Sequence, residues 1–158
     1  MHNGKTWLAC ALAAAACESF HATRYVRMPQ LMDELAVSRD EDWLKAKRRY
    51  ARCELLVIDD FMLEPLQGRE ACELLELVEA RYRRGSMILC SQYGPAGWHE
   101  RIGEGALADA VIDRVVYNSR MIHIGKRINQ RIWPLSVCKR ILLPSAFGLM
   151  GGVVTWRG

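Results

Sequence analysis

Two short motifs carry residue types that do chemistry together. Gly4-Lys5-Thr6 stands at the head of an Ala/Leu-rich stretch, and Asp59-Asp60 closes the apolar run Leu55-Leu56-Val57-Ile58. A glycine-lysine-threonine sequence opening a helix can cradle phosphates: backbone N–H groups and the helix dipole face the anion. The lysine neutralises β/γ charge, and the threonine hydroxyl ligates Mg²⁺. Two acids closing a buried strand supply the complement, one carboxylate orienting the metal and its water and the other polarising the attacking water. Alone, the tripeptide recurs by chance, and paired acids also occur as solvated loop residues. In this order, with the acids downstream, they favour a nucleotide site.

Two weaker signals follow. Ser91-Gln92 ends a second apolar run, and a polar side chain there can position a hydrolytic water, although a plain turn residue would look identical. Asp113-Arg114 lies late in a helical stretch. An arginine so placed can stabilise transition-state charge on a γ-phosphate by about three to five decades of rate; the competing reading is a surface arginine paired with Asp113 or Asp109.

The elements that must position these groups alternate along the chain. Lys5 to Phe20 has no internal Gly or Pro and reads as a helix. Tyr25 to Met28 is a short strand ending at Pro29, Gln30 to Leu35 a turn or two of helix, and Ser38 to Asp42 a polar break. Trp43 to Arg52 is a basic helix. Glu54 to Asp60 has four consecutive apolar residues without alternation, the mark of a strand buried on both faces of a parallel sheet. Arg69 to Arg84 repeats apolar residues at helical period and stops at Gly85. Ser86 to Ser91 is a second buried strand, with Gln92 to Pro95 as its exit loop. Leu107 to Tyr117 is a helix and Arg120 to Ile124 a last strand. The alternation implies an α/β fold with a mainly parallel sheet.

Composition narrows the class further. With 51% hydrophobic and 25% charged residues, the chain has an ordinary soluble make-up, and its 158 residues suffice for one domain with a real core. All 18 acids precede Val115, whereas seven of the 22 lysines and arginines follow it. That basic end points to an anionic partner, nucleic acid first, or to a tail of chance sequence. The six cysteines (Cys10, Cys17, Cys53, Cys72, Cys90, Cys138) have no metal-like spacing. Most sit among apolar neighbours, which predicts small buried hydrophobes with reduced thiols in a cytoplasmic protein. Trp7 to Cys17 also reads as a signal peptide, and Ala13 to Cys17 as a lipoprotein processing site; that leaves Asp59-Asp60 and Arg114 as coincidence.

In order, Gly4-Lys5-Thr6-Trp7-Leu8-Ala9, Leu55 to Phe61 with Glu64-Pro65-Leu66, and Ile88 to Gln92 resemble the IstB-like transposition helper ATPases. The segment Trp98 to Ala110 running into Asp113-Arg114 is the most specific match. That family is related to the DnaC helicase loader and the DnaA initiator, all AAA+ ATPases, and the resemblance covers roughly Gly4 to Arg131. It implies an AAA+ P-loop three-layer α/β sandwich over residues 1–132, lacking its first strand, with an atypical tail over 133–158. It implies ATP and Mg²⁺ as cofactors, with Gly4, Lys5 and Thr6 on the phosphates, Thr6 and Asp59 on the metal, and Asp60 in the water-polarising place. Gln92 takes the first sensor place, Arg114 that of a finger acting on a neighbouring subunit of a homo-oligomer, and Arg131 that of the second sensor, although the family has Met where Gln130 stands. The implied partners are double-stranded DNA, held by backbone contacts, and a transposase or helicase; no membrane is implied.

Two departures qualify the resemblance. The family carries a strand and a complete Gly-rich loop ahead of Gly-Lys-Thr, where only Met1-His2-Asn3 stand here. That strand is central to the related sheet, so its neighbours are expected to lose ladder partners. The shortened loop predicts ATP binding at least about a hundredfold weaker than in an intact relative, since each lost charge-assisted bond is worth about 1.5–3 kcal/mol. The second departure is Trp133 to Gly158, whose Pro144 and glycines argue against a regular helix and whose apolar run is too short to span a bilayer. A read-through or frameshifted tail is one origin. Two functions therefore stand side by side: an ATPase acting on DNA with a transposase or helicase, and a catalytically dead remnant binding DNA or a partner. Lys45, Lys47, Arg48, Arg49, Arg52 and the basic C-terminal stretch would face phosphates in the second, or simply form a solvated helix face.

Overall fold

A computed structural model describes residues 4–36, 41–103, 105–117, 119–124 and 151–155, the last as backbone only. Strands β1 (Thr23–Arg27), β2 (Leu55–Phe61), β3 (Ser86–Ser91), β4 (Ser119–His123) and β5 (Gly151–Thr155) form one sheet in the order β1-β2-β3-β5-β4. Every pairing is parallel. The mixed α/β architecture is that of a P-loop NTPase, as expected.

Helix α1 (Lys5–Glu18) covers one face of the sheet. Alanine is the best helix former and the stretch has no breaker, so the helix forms where expected. Its Leu8, Ala9, Leu12, Ala15 and Ala16 pack on Leu55, Val57, Ile88 and Cys90, the alternate residues of β2 and β3. The opposite face, with Leu56, Ile58 and Leu89, meets α2 (Met28–Ala36), α4 (Glu70–Arg81), α5 (Pro95–Ile102) and α6 (Ala106–Val116). Helix α3 (Glu41–Arg52) packs on α2 and α4. All seven residues of β2 are buried, which is why it reads as an unbroken apolar run.

Several boundaries differ from expectation for identifiable reasons. Met28 opens α2 instead of closing β1, because proline's fixed φ suits a first helical turn. Glu41 and Asp42, placed in a polar break by sequence, begin α3. Helix α5 follows directly on the exit loop of β3, with Pro95 in its first turn. Of the described cysteines, all free, only Cys53 and Cys90 are buried; Cys10, Cys17 and Cys72 are exposed, because they fall on outward positions of their helices. No helix among the described residues is long and apolar enough to cross a membrane.

The largest correction concerns the sheet's interior. The loss of ladder partners expected beside a missing central strand is not seen at β3 and β4. Gly151–Thr155 lies between them, Leu89 and Met121 both standing opposite Val153. A five-residue extended segment can satisfy the backbone groups of two neighbours whatever its position in the chain.

Candidate phosphate and metal site

The site grows from the C-terminal edge of the sheet, where ligands of open α/β folds bind. Gly4 caps α1 with φ 86°, a left-handed conformation that glycine adopts without strain, and no side chain caps the first turn. A helix start of this kind directs backbone N–H groups and the positive end of the helix dipole toward an anion. Lys5 is buried, and its ammonium donates to the Ser91 carbonyl at 3.3 Å, across 86 residues of sequence. Burial pushes its pKa down, with Cys90, Asp59 and Asp60 pulling in the opposite direction.

Thr6 Oγ1 donates to Asp59 Oδ2 at 2.8 Å, joining the two motifs directly. One hydroxyl and one carboxylate are oxygen donors that could hold a hard cation such as Mg²⁺. Among the described residues no cluster of three or more His, Cys, Asp or Glu forms a protein-only cage.

Asp59 and Asp60 are both buried at the end of β2. Strict alternation would send them to opposite faces. The pairing with β3 shifts register between Ile58 and Phe61, and Asp60 has φ 54°, so an extra residue is accommodated there. Such bulges re-aim side chains beside active sites, and aspartate tolerates a left-handed conformation better than most residues. The Asp60 N–H donates to Asp59 Oδ1 at 2.9 Å.

Two partners on β1 went unread in the sequence. Tyr25 Oη donates to Asp59 Oδ2 at 2.7 Å, and Arg27 donates to Asp60 Oδ2 through Nε at 2.9 Å and Nη2 at 2.7 Å. Their signal was the i, i+2 spacing of two long polar side chains on an edge strand, which puts both on the face that Asp59 shares.

The remaining expected residues are more dispersed. Ser91 pairs with Phe61, so Gln92, half-buried, stands one residue past the same edge. Ser91 itself is structural: its hydroxyl donates to the Phe61 carbonyl at 2.7 Å and accepts from Trp98 Nε1 at 2.8 Å. Arg114 is exposed on α6, 3.9 Å from Glu79 and over the Tyr82 ring. Those partners lie where α4 runs back to the start of β3, so Arg114 is at the opposite end of the sheet from Asp59 within one chain. Arg131 lies outside the described residues.

The sequence matches the family described as IstB-like ATP binding protein over residues 2–131. The chain belongs to that family. Among IstB-like relatives, two insertion sequence ATP-binding proteins of Sinorhizobium fredii are 39% identical over 130 residues and 42% identical over 132. The alignments cover 82% and 81% of this chain, and 52% and 54% of the relatives. The insertion sequence IS21 ATP-binding protein of Pseudomonas aeruginosa is 32% identical over 124 residues, covering 77% of this chain and 46% of its own length. The chain thus spans about half the length of the curated relatives it matches. The matched segment contains Gly4 to Thr6, Asp59, Asp60, Gln92 and Arg114.

Proposed function

We propose that this chain binds Mg²⁺·ATP at Gly4, Lys5, Thr6 and Asp59, hydrolyses it with Asp60, and acts on double-stranded DNA together with a transposase. One observation carries the reading: the 2.8 Å hydrogen bond from Thr6 to Asp59 brings a helix-opening hydroxyl and a strand-closing carboxylate, 53 residues apart, to one point. Bound Mg²⁺·ATP supplies the γ-phosphoryl group and the cationic charge that offsets its oxygens. The chain's own residues do the rest. The first turn of α1 and Lys5 hold the phosphates, Thr6 and Asp59 orient the metal, and Asp60 takes a proton from the attacking water while Gln92 orients it. Arg114, distant from its own Asp60, acts on the nucleotide of a neighbouring copy in a homo-oligomer. Arg131 is assigned to the second sensor place by family position alone.

The DNA-facing surface we assign to α3. Lys45, Arg48, Arg49 and Arg52 are exposed along it, with Arg49 3.4 Å from Glu34. Lys47 drops out of the set expected from sequence: it is held by Glu73 at 3.7 Å and by Glu76, both on α4. This nucleotide-independent surface also supports a second reading, a catalytically dead DNA- or partner-binding protein. DNA binding measured with and without ATP separates the two. The first reading expects ATP-dependent assembly on duplex DNA, and the second expects equal binding in both conditions. In either case Arg48→Ala with Arg52→Ala is expected to lower the slope of log affinity against log salt by about 1.8, because two DNA phosphates are no longer neutralised. An unchanged slope would remove α3 from the interface.

A further inference from the structure

Strand β1 presents two side chains to the two adjacent carboxylates, and the donors differ in kind. Asp59 Oδ2 receives neutral hydroxyls from both Thr6 and Tyr25, at 2.8 and 2.7 Å. Those bonds orient the carboxylate without cancelling its charge, which suits a group that must attract a cation. Asp60 Oδ2 instead receives both nitrogens of the Arg27 fork. A guanidinium offsets carboxylate charge, and because both contacts fall on Oδ2, Arg27 anchors that oxygen and leaves Oδ1 for another partner.

The geometry of the strand makes this arrangement possible. Arg27 stands opposite Asp59 in the β1–β2 ladder and Tyr25 opposite Val57, so both side chains lie on the face covered by α1. Both reach toward the sheet's C-terminal edge, Tyr25 two residues onward to Asp59 and Arg27 one residue onward to Asp60. The bulge at Asp60 brings the second carboxylate within reach of Arg27. β1 is the edge strand of the described sheet, and the Arg27 side chain is 56% exposed, so the ion pair itself contributes little to stability. Its effect is on where Asp60 points.

We propose that Tyr25 and Arg27 are positioning residues that divide the work of two neighbouring acids, Tyr25 preparing Asp59 for Mg²⁺ and Arg27 aiming Asp60 at the hydrolytic water. The inference rests on the ATPase reading above and assigns to that same site two residues from a strand carrying neither motif.

The test uses the full chain and a fluorescent ATP analogue titrated with Mg²⁺ and with EDTA. In Tyr25→Phe, the gain in affinity due to Mg²⁺ is expected to shrink about tenfold, while affinity in EDTA stays within about twofold. In Arg27→Ala, affinity in both conditions is expected to stay within about twofold, while single-turnover hydrolysis of bound ATP slows about tenfold or more. Arg27→Lys keeps a charge without the fork, and is expected to recover part of that rate. Thermal midpoints equal to wild type would show that neither variant acts through the fold. A Mg²⁺ gain undiminished in Tyr25→Phe, or hydrolysis unslowed in Arg27→Ala, overturns the corresponding half of the proposal. Loss of affinity in EDTA together with the thermal midpoint assigns the residue a structural role instead. A wild-type chain that binds no ATP overturns the ATPase reading itself, and this division of roles with it.

Discussion

Replacing Lys5 by methionine is expected to weaken ATP binding about ten- to a hundredfold, the value of one charge-assisted contact to phosphate, and to abolish measurable hydrolysis. Methionine keeps the apolar stem that packs at the start of α1 and removes only the ammonium. Lys5 is 6% exposed, and its ammonium donates to the Ser91 carbonyl at 3.3 Å. Desolvation is the largest influence on it and lowers its pKa below that of an ordinary lysine. A lysine whose pKa falls on folding weakens the fold where it stays protonated, so its removal relieves a cost even as Asp59 and Asp60 lose a neighbouring cation. The thermal midpoint is therefore expected to move by no more than about 3 °C in either direction. Parallel calorimetry and nucleotide titration check both halves. A large loss of stability with unchanged ATP affinity would make Lys5 a structural lysine.

The second large effect concerns stability alone. Arg81, the last residue of α4, is 1% exposed, with its guanidinium inside the protein. Nη1 donates to the carbonyls of Tyr50 at 2.6 Å and Cys53 at 2.8 Å, and Nη2 to that of Ser86 at 2.7 Å. One side chain thus ties the end of α3 to the start of β3, where the loops into β2 and β3 converge. Arg81→Ala removes a charged donor from three carbonyls and leaves a cavity, and is expected to cost about 3–5 kcal/mol. That corresponds to a fall in thermal midpoint of about 10 °C for a chain of this size. Urea unfolding would check the free energy directly; a loss below about 1 kcal/mol would mean that water replaces the guanidinium without penalty.

Arg81 also marks what sequence could not convey. It occupies an unremarkable place in a helical repeat, and only the folded chain reveals that it points inward. Gly85 read as a helix stop, yet a Cβ there would sit 2.7 Å from Arg81 Nη2 and 3.0 Å from the Cys53 carbonyl. The glycine is required by the buried guanidinium. Tyr25 and Arg27 escaped notice for a related reason: a five-residue strand has no motif, and its importance lies in which neighbour it pairs with. By contrast, β2 was legible because burial on both faces forces an unbroken apolar run, and α1 because nothing in its sequence can interrupt a helix. That Thr6 and Asp59 would meet was legible because the two motifs were expected to converge, and a hydrogen bond joins them. The place of Gly151–Thr155 inside the sheet was not, because parallel pairing between strands distant in sequence depends on which backbone slot is open, and five residues rich in glycine carry little pattern of their own.

Whether the two motifs form one site is decided most directly by a double-mutant cycle on Thr6 and Asp59, read by titrating ATP in saturating Mg²⁺. Thr6→Ala and Asp59→Asn should each lower affinity, and the combined variant should bind about as weakly as the worse single one, because both side chains serve the same metal–phosphate group. Losses that simply add would mean that Gly4-Lys5-Thr6 and Asp59-Asp60 work independently, contradicting a shared Mg²⁺·ATP site.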